Sequence, residues 1–134
     1  MEEQIVVAGA LFSADRLLVA QRQRPPELAG LWELPGGKVA ADEGDADALV
    51  RELREELGVE VTVGARLGAD VALNSGMILR AYRVTLTAGS PQPHDHRALR
   101  WVNVDELDDL PWVPADRAWL TDLAEALRDG APLD

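Results

Sequence analysis

The spacing of apolar residues along the chain predicts a mixed β-sheet with two helices. Residues 4–12 and 16–21 are rich in β-branched and aliphatic side chains and are separated by the turn-forming sequence SAD, which predicts two adjacent strands. Further strands are predicted over 59–73, 77–89 and 98–104. Strands interleaved with helices favour an α/β fold whose sheet is covered on both faces.

The clearest helix is predicted over Asp45–Leu57. Its apolar residues recur at 3.6-residue spacing and form one stripe, which comprises Ala46, Leu49, Val50, Leu53 and Leu57. Gly58 is placed to end this helix as its C-terminal cap. A single helical turn is predicted within 105–112, and a terminal helix over Ala115–Leu127.

Residues 22–38 contain three prolines and three glycines, which predicts a loop with a short extended piece around Leu31–Leu34. No internal repeat or linker divides the 134 residues. We therefore expect one domain over residues 1–134.

Charge and composition narrow the possible functions. The formal net charge of −11 argues against a nucleic-acid-binding protein, which needs a basic surface. The absence of cysteine excludes disulfides, thiolate catalysis and cysteine-bound zinc. The longest apolar run, IVVAGALF, is too short to span a bilayer, and the N-terminus lacks the basic start of a signal peptide. We expect a cytoplasmic protein without a membrane partner.

Three glutamates crowd the second half of the predicted central helix. Glu52, Glu55 and Glu56 stand at positions i, i+3 and i+4, so they fall on one side of the helix beside its apolar stripe. Like charges at this spacing weaken a helix by a few tenths of a kcal/mol per pair. They form either a solvated helix face or a set of oxygen ligands for a divalent cation.

The surrounding residues favour the second alternative. The segment 37–59 matches the pattern G-x5-E-x7-R-E-U-x-E-E-x-G-U, in which U is aliphatic, through Gly37, Glu43, Arg51, Glu52, Leu53, Glu55, Glu56, Gly58 and Val59. With this motif, and with VAQRQRPPELAGLWELPGGKV and LPWVPAD, the chain resembles the Nudix hydrolases of the MutT-like branch, and most closely the CTP pyrophosphohydrolases, including actinobacterial ones.

The resemblance implies a Nudix fold, an α/β/α sandwich with a mixed β-sheet and a loop–helix–loop formed by the motif. It also implies Mg²⁺ as cofactor, with Mn²⁺ as a substitute. The implied metal ligands are Glu52, Glu55, Glu56, the Gly37 carbonyl and, from a loop before a late strand, Asp95. Water would attack a bridging phosphate, with Glu52 or Glu55 as the catalytic group that accepts its proton, while Arg51 orients a glutamate. The neighbouring His94 and His96 are expected to be solvated loop residues rather than ligands.

Several residues are candidates for substrate binding. Arg22 lines up with a phosphate-binding arginine of the family, and Lys38 follows the double glycine, although both could be surface charges. Leu34 lies where the base would pass. Arg80 and Tyr82 share one face of a predicted strand and either contact the nucleotide or are ordinary strand residues.

Asp116 occupies a position at which MutT-like relatives carry an asparagine that reads guanine. An ionised carboxylate can only accept hydrogen bonds, and cytosine presents an exocyclic amino donor. Asp116 therefore favours a cytosine base, although N1–H and N2–H of guanine could still donate to it in another pose, and it could instead serve only as the N-cap of the terminal helix.

The predicted function is Mg²⁺-dependent hydrolysis of CTP or dCTP, including 5-methyl-dCTP, to the monophosphate and pyrophosphate. Three alternatives remain open: sanitation of 8-oxo-dGTP, hydrolysis of a nucleotide sugar or dinucleoside polyphosphate, and a nucleotide-binding sensor without turnover. The chain could act as a monomer or a homodimer.

Overall fold

The computed structural model describes residues 3–73 and 75–129 and confirms the α/β prediction. A mixed sheet contains the strands β1 (Gln4–Ser13), β2 (Arg16–Gln21), β3 (Trp32–Glu33), β4 (Gly36–Lys38), β5 (Glu60–Ala72), β6 (Met77–Ala88) and β7 (Ala98–Val102). The helices are α1 (Asp45–Leu57), a 3₁₀ helix at Val104–Asp109, a second 3₁₀ helix at Pro114–Trp119, and α2 (Leu120–Arg128). Within the described ranges no helix is long and apolar enough to cross a membrane.

Strand β1 organises the sheet because it pairs with three neighbours. It runs parallel to β6 and antiparallel to β4 and β2, and the strand order is β3-β2-β1-β6-β5, with β4 beside β1 and β7 beside β2. The pairing of Val6 with Lys38 and of Ala8 with Gly36 fixes the segment just before α1 against the sheet centre.

Each face of the sheet has its own apolar core. On one face α1 packs against β1 and β6, with a core that includes Val7, Leu11, Leu49, Leu53, Leu57 and Val84. On the other face α2 and the 3₁₀ helices cover a core that includes Ala10, Val19, Trp112, Trp119 and Leu123. A Cβ on Gly9 of β1 would lie 3.1 Å from Leu53, so the absence of a side chain there lets α1 approach the sheet closely.

Helix α1 has the predicted bounds but a slightly different buried stripe. Ala46 is exposed, and Ala48 is buried in its place beside Leu49. Gly58 adopts a left-handed φ of 73° and donates its N–H to Arg54, which confirms it as the C-cap.

One local prediction was wrong, and the prediction of the terminal helix was confirmed with a different helix type at its start. Residues Gly36–Lys38 form a strand rather than a loop, because β1 supplies hydrogen-bond partners that the glycine-rich sequence does not reveal. The terminal helix begins as a 3₁₀ helix and becomes α-helical only at Leu120. Side chains at i and i+3 eclipse in a 3₁₀ helix, so Asp116 and Trp119 both point inward.

We expect Gly36→Ala to destabilise the fold. A Cβ at this position would lie 1.9 Å from the carbonyl oxygen of Val7, in paired backbone that cannot move aside. The free energy of unfolding, measured by urea denaturation, should fall by about 2 kcal/mol or more. Gly64→Ala is the matched control, since its Cβ would meet only ordinary contact at 3.4 Å, and it should change stability by less than about 0.5 kcal/mol. Equal effects of the two substitutions would contradict this account of β4.

Candidate active site

A polar cleft opens beside the C-terminal half of α1. Its wall is formed by segments that are distant in sequence and are brought together by the sheet: residues 22–24 after β2, Glu33 of β3, Gly36 of β4, Glu56 of α1 and residues 95–96 before β7. The cleft thus joins Glu56 of α1 to both loops singled out in the sequence.

Helix α1 presents Glu52 and Glu56 on one side, towards the β3–β4 segment. The Glu52 carboxylate packs directly on Gly37, where an added Cβ would lie 2.3–2.6 Å from its carboxyl atoms. Glu56 Oε1 accepts the N–H of Gly36 at 3.3 Å. The double glycine therefore allows two carboxylates to approach the backbone closely.

Arg51 holds the loop and the helix together. Its guanidinium donates two hydrogen bonds to the Glu43 carboxylate, at 2.8 and 2.9 Å, and a third to Glu52 at 3.0 Å. It also donates to the carbonyl oxygen of Lys38. The hydrogen bonds from Arg51 lower the pKa of Glu43 to about 2, so this clamp is ionised at physiological pH. The expectation that Arg51 orients a glutamate is confirmed.

Glu56 lies in an electrostatically unfavourable position. Burial raises its pKa to about 8, and the negative charges of Glu52, Glu33 and Asp95 add to the shift. The single hydrogen bond from Gly36 offsets only part of this. A divalent cation in the cleft would reverse the sign of the local field.

The loop that carries Asp95 is tied to the end of α1. The N–H of His94 donates to the Glu56 carbonyl at 3.0 Å, and that of Gln92 to the Leu57 carbonyl at 2.9 Å. These bonds place Asp95 at the cleft, where its carboxylate accepts from Arg24 at 2.6 Å. Asp95 therefore reaches the same cleft as Glu56 from a position far along the chain.

The oxygen atoms around the cleft suit a hard cation, although they do not converge on one point. Within residues 3–73 and 75–129, no three acidic or histidine side chains already converge in the arrangement that holds a metal. The carboxylates of Glu52 and Glu56, the backbone of Gly37 in β4, where there is no room for a Cβ, and Asp95 nevertheless supply oxygen ligands of the kind that Mg²⁺ takes. Burial and the neighbouring carboxylates raise the pKa of Glu56, and a cation bound beside it would favour its ionised form.

The carboxylate of Asp116 is buried next to Leu34, the residue that follows β3. Asp116 is 4% exposed, and its Oδ2 accepts the backbone N–H of Leu34 at 2.9 Å. It caps no helix, because the 3₁₀ helix begins after Val113 and has no side-chain cap, so the N-cap alternative is wrong. Burial raises the pKa of Asp116 to about 7, and the nearby charge of Glu33 contributes.

The carboxylate of Glu33 in β3 contacts two side chains, those of Arg22 and His96. Arg22 Nη1 lies 3.0 and 3.2 Å from its two carboxylate oxygens. His96 Nε2 lies 2.9 Å from Oε2. The expectation that His96 is a solvated loop residue is wrong, since its side chain is only 5% exposed, whereas His94 is exposed as predicted.

The other predicted residues are distributed differently. Glu55 projects from α1 with 60% of its side chain exposed and Arg51 3.6 Å away, and Lys38 is exposed at the end of β4. Arg80 and Tyr82 do not join the cleft, because both donate hydrogen bonds to Asp45 at the start of α1. At 1.5 Å per residue, the first residue of α1 lies about 16 Å along the helix axis from Glu56.

Sequence reasoning missed Glu33 and underrated His96. The alternation of Trp32, Glu33 and Leu34 along an extended segment is the signal that could have separated Glu33, which faces the cleft, from its two buried neighbours. No local pattern predicts the contact of Glu33 with His96, which are 63 residues apart.

Comparison with known proteins agrees with this geometry. The NUDIX domain profile matches residues 3–123. A Mycobacterium tuberculosis protein provisionally named 8-oxo-dGTP diphosphatase 2 is 60% identical over 98% of this chain and 95% of its own length. The CTP pyrophosphohydrolase of Escherichia coli is 43% identical over 98% of this chain and 99% of its own length. The solution structure of the E. coli ORF135 protein superposes with a TM-score of 0.81 at 40% identity, covering 100% of this chain and 96% of that one.

The motif on α1, the fold around it and these relatives agree. The chain belongs to the Nudix family and is a nucleotide pyrophosphohydrolase.

Proposed function

We propose that this enzyme hydrolyses a nucleoside triphosphate to the monophosphate and pyrophosphate, and that its preferred base is cytosine, as in CTP, dCTP or 5-methyl-dCTP. The observation that carries the proposal is the position of Asp116, a buried carboxylate that accepts the N–H of Leu34, the residue next to Glu33, which lines the cleft together with Glu56. The region around Asp116 suits a base, and the cleft beside Glu56 suits phosphates.

At the phosphate end, Glu52, Glu56, Asp95 and the Gly37 carbonyl would hold Mg²⁺, since Nudix hydrolases generally use divalent cations. Such an ion, when bound, neutralises phosphate charge and lowers the pKa of a bound water. The protein supplies the remaining groups. Glu55 is an exposed carboxylate on the same helix and, with Glu52, a candidate to accept the proton of the attacking water.

Two cations could bind the phosphates, Arg22 at the cleft wall and Lys38 after the double glycine. Arg22 is engaged with Glu33 in the substrate-free protein. A phosphate oxygen is a comparable acceptor for its guanidinium, so Arg22 can contact both anions through different N–H groups.

At the base end, the ionisation of Asp116 decides what can be read. The ionised carboxylate accepts hydrogen bonds and therefore suits the exocyclic amino group of cytosine. Guanine O6 against the same carboxylate would leave two acceptors facing each other at a cost of roughly 1–3 kcal/mol. The side chain of Leu34 is 3% exposed, so its backbone amide, rather than its side chain, is the group available beside Asp116.

Two observations favour 8-oxo-dGTP as a second candidate substrate. The relative that is 60% identical is provisionally named for that activity. In addition, a pKa of about 7 means that Asp116 is partly neutral near physiological pH, and a neutral carboxyl group offers an O–H donor that guanine O6 can accept. The ionised carboxylate can also accept from N1–H and N2–H of guanine in another pose, so the ionisation state of Asp116 shifts the preference between the two candidates without excluding either.

The choice of base should depend on pH through Asp116. With Mg²⁺ present, the ratio of kcat/KM for dCTP over that for 8-oxo-dGTP should rise roughly tenfold or more between about pH 6 and 8, as Asp116 loses its proton. Other groups titrate in this range, but they act on both substrates and cancel in the ratio. In Asp116→Asn the ratio should be independent of pH and should favour 8-oxo-dGTP, because the amide always offers a donor.

A panel of CTP, dCTP, 5-methyl-dCTP, dGTP, 8-oxo-dGTP and ADP-ribose, with chromatographic separation of the products, tests the reaction itself. Cytidine monophosphates and pyrophosphate are the expected main products. Turnover of ADP-ribose in preference to every triphosphate would contradict the substrate class. Binding without turnover of any compound would favour the sensor alternative.

Glu56→Gln should separate stability from metal binding. With a pKa of about 8, Glu56 is mostly protonated in the metal-free folded chain at pH 7 but ionised in the unfolded chain, so folding carries the cost of binding a proton. The amide avoids this cost, and we expect the metal-free protein to gain roughly 1–3 kcal/mol at pH 7. Calorimetric titration with Mn²⁺ should show at least about tenfold weaker binding, and Mg²⁺ should no longer raise the melting temperature. Glu60→Gln, on an exposed ion pair with Arg54, is the control and should leave metal binding unchanged. Unchanged Mn²⁺ affinity in Glu56→Gln would contradict its place among the ligands.

A further inference from the structure

His96 is a buried imidazole for which the proposed reaction has so far no use. Its side chain is 5% exposed, and it lines the cleft beside Asp95. Nδ1 is buried without a hydrogen-bond partner in the described part of the chain, so the ring makes one polar contact, from Nε2 to Glu33 at 2.9 Å. An imidazole that leaves one nitrogen unsatisfied is a poor choice for core packing. The contact with Glu33 is therefore the feature that needs an explanation.

The contact fixes which nitrogen carries the proton. Glu33 also accepts from Arg22 Nη1, 3.0 Å away. A carboxylate paired with a guanidinium accepts hydrogen bonds, so we assign His96 Nε2 as the donor in this contact. Arg22 and His96 approach Glu33 from different segments, one after β2 and one before β7. Two donors from separate segments hold the carboxylate in one orientation.

Glu33 lines the cleft together with Glu56, and the residue after it, Leu34, donates its N–H to Asp116. It therefore lies between the proposed phosphate and base ends. A nucleotide that spans the two ends passes Glu33 with its nucleoside part. The groups of a nucleoside that suit a carboxylate acceptor are sugar hydroxyls and base N–H groups.

We propose that His96 is a positioning residue that orients Glu33 to accept a hydrogen bond from the nucleoside of the substrate. This inference rests on the proposed function and deepens it. His96 acts through Glu33 and does not itself contact the reacting phosphates. Its effect should fall on substrate affinity more than on the chemical step.

Two amide variants form a matched pair. In His96→Gln the side-chain amide nitrogen reaches about as far as Nε2 and can still donate to Glu33. In His96→Asn the amide ends near the position of Nδ1 and is too short. If His96 had only a structural role, both substitutions would disturb the protein. The positioning role requires only a donor to Glu33, which His96→Gln keeps and His96→Asn loses.

The test is steady-state kinetics of both variants with dCTP and Mg²⁺, together with their melting temperatures. His96→Asn should raise KM about tenfold, the loss expected for one hydrogen bond to a charged group, with kcat changed less than about twofold. His96→Gln should keep KM within about twofold of the wild type. In a Glu33→Gln background, His96→Asn should add no further change in KM.

A dideoxy substrate identifies the donor. If a sugar hydroxyl donates to Glu33, the KM penalty of His96→Asn disappears with 2′,3′-dideoxycytidine triphosphate; if a base N–H donates, the penalty remains, and both results support the proposal. Equal KM values for the Gln and Asn variants, or an Asn effect that persists without Glu33, would overturn it. A wild type that hydrolyses no triphosphate would instead overturn the proposed function.

Should His96→Asn fail to fold, the wild type still tests the contact. Long-range ¹H–¹⁵N spectra of the His96 ring should show the proton on Nε2, with ring shifts that move when dCMP is added. A proton on Nδ1 alone, or ring shifts that dCMP leaves unchanged, would overturn the proposal.

Discussion

The accumulation of carboxylates around Glu56 is the constraint on which the rest of the site depends. Burial of this side chain, together with the charges of Glu52, Glu33 and Asp95 that folding brings near it, raises its pKa to about 8. A chain with a net charge of −11 gains no stability from gathering like charges, and burial adds to the cost. Such an arrangement persists because the apolar cores on both sheet faces stabilise the fold around it, and because a cation can offset it when the site is in use.

Backbone packing makes this concentration of charge possible. Strand β4 pairs with β1 and presents Gly36 and Gly37 to α1 without side chains. Arg51 then joins the loop to the helix through Glu43 and Glu52. The clamp supplies positive charge on one side of the carboxylates, and the cleft is left open on the other side. The carboxylates are thus held in place with their negative charge offset on one side only, as expected of a site that binds a positively charged ligand.

The structural features that depend on the spacing of nearby residues could be predicted from the sequence, whereas those that depend on contacts between distant segments could not. Helix α1, its cap and its glutamates follow from a 3.6-residue period and a fixed motif within residues 37–59. Strand β4 has no apolar alternation and exists only because β1 lies beside it. The burial of His96 could not be predicted, because it depends on the contacts of its loop with the end of α1 and of its ring with Glu33. The inward orientation of Asp116 likewise needs a 3₁₀ helix that residue propensities do not specify.

The central claim is that the carboxylates of α1 form a cation site in the cleft that also holds the nucleotide. The most direct measurement is anomalous diffraction from crystals grown with Mn²⁺ and a non-hydrolysable dCTP analogue. The account predicts an anomalous peak at coordinating distance from Glu52 and Glu56, with the base against Asp116 and Leu34. A peak confined to another acidic group, such as Asp45 and Asp70 around Arg80, with an empty cleft, would contradict it.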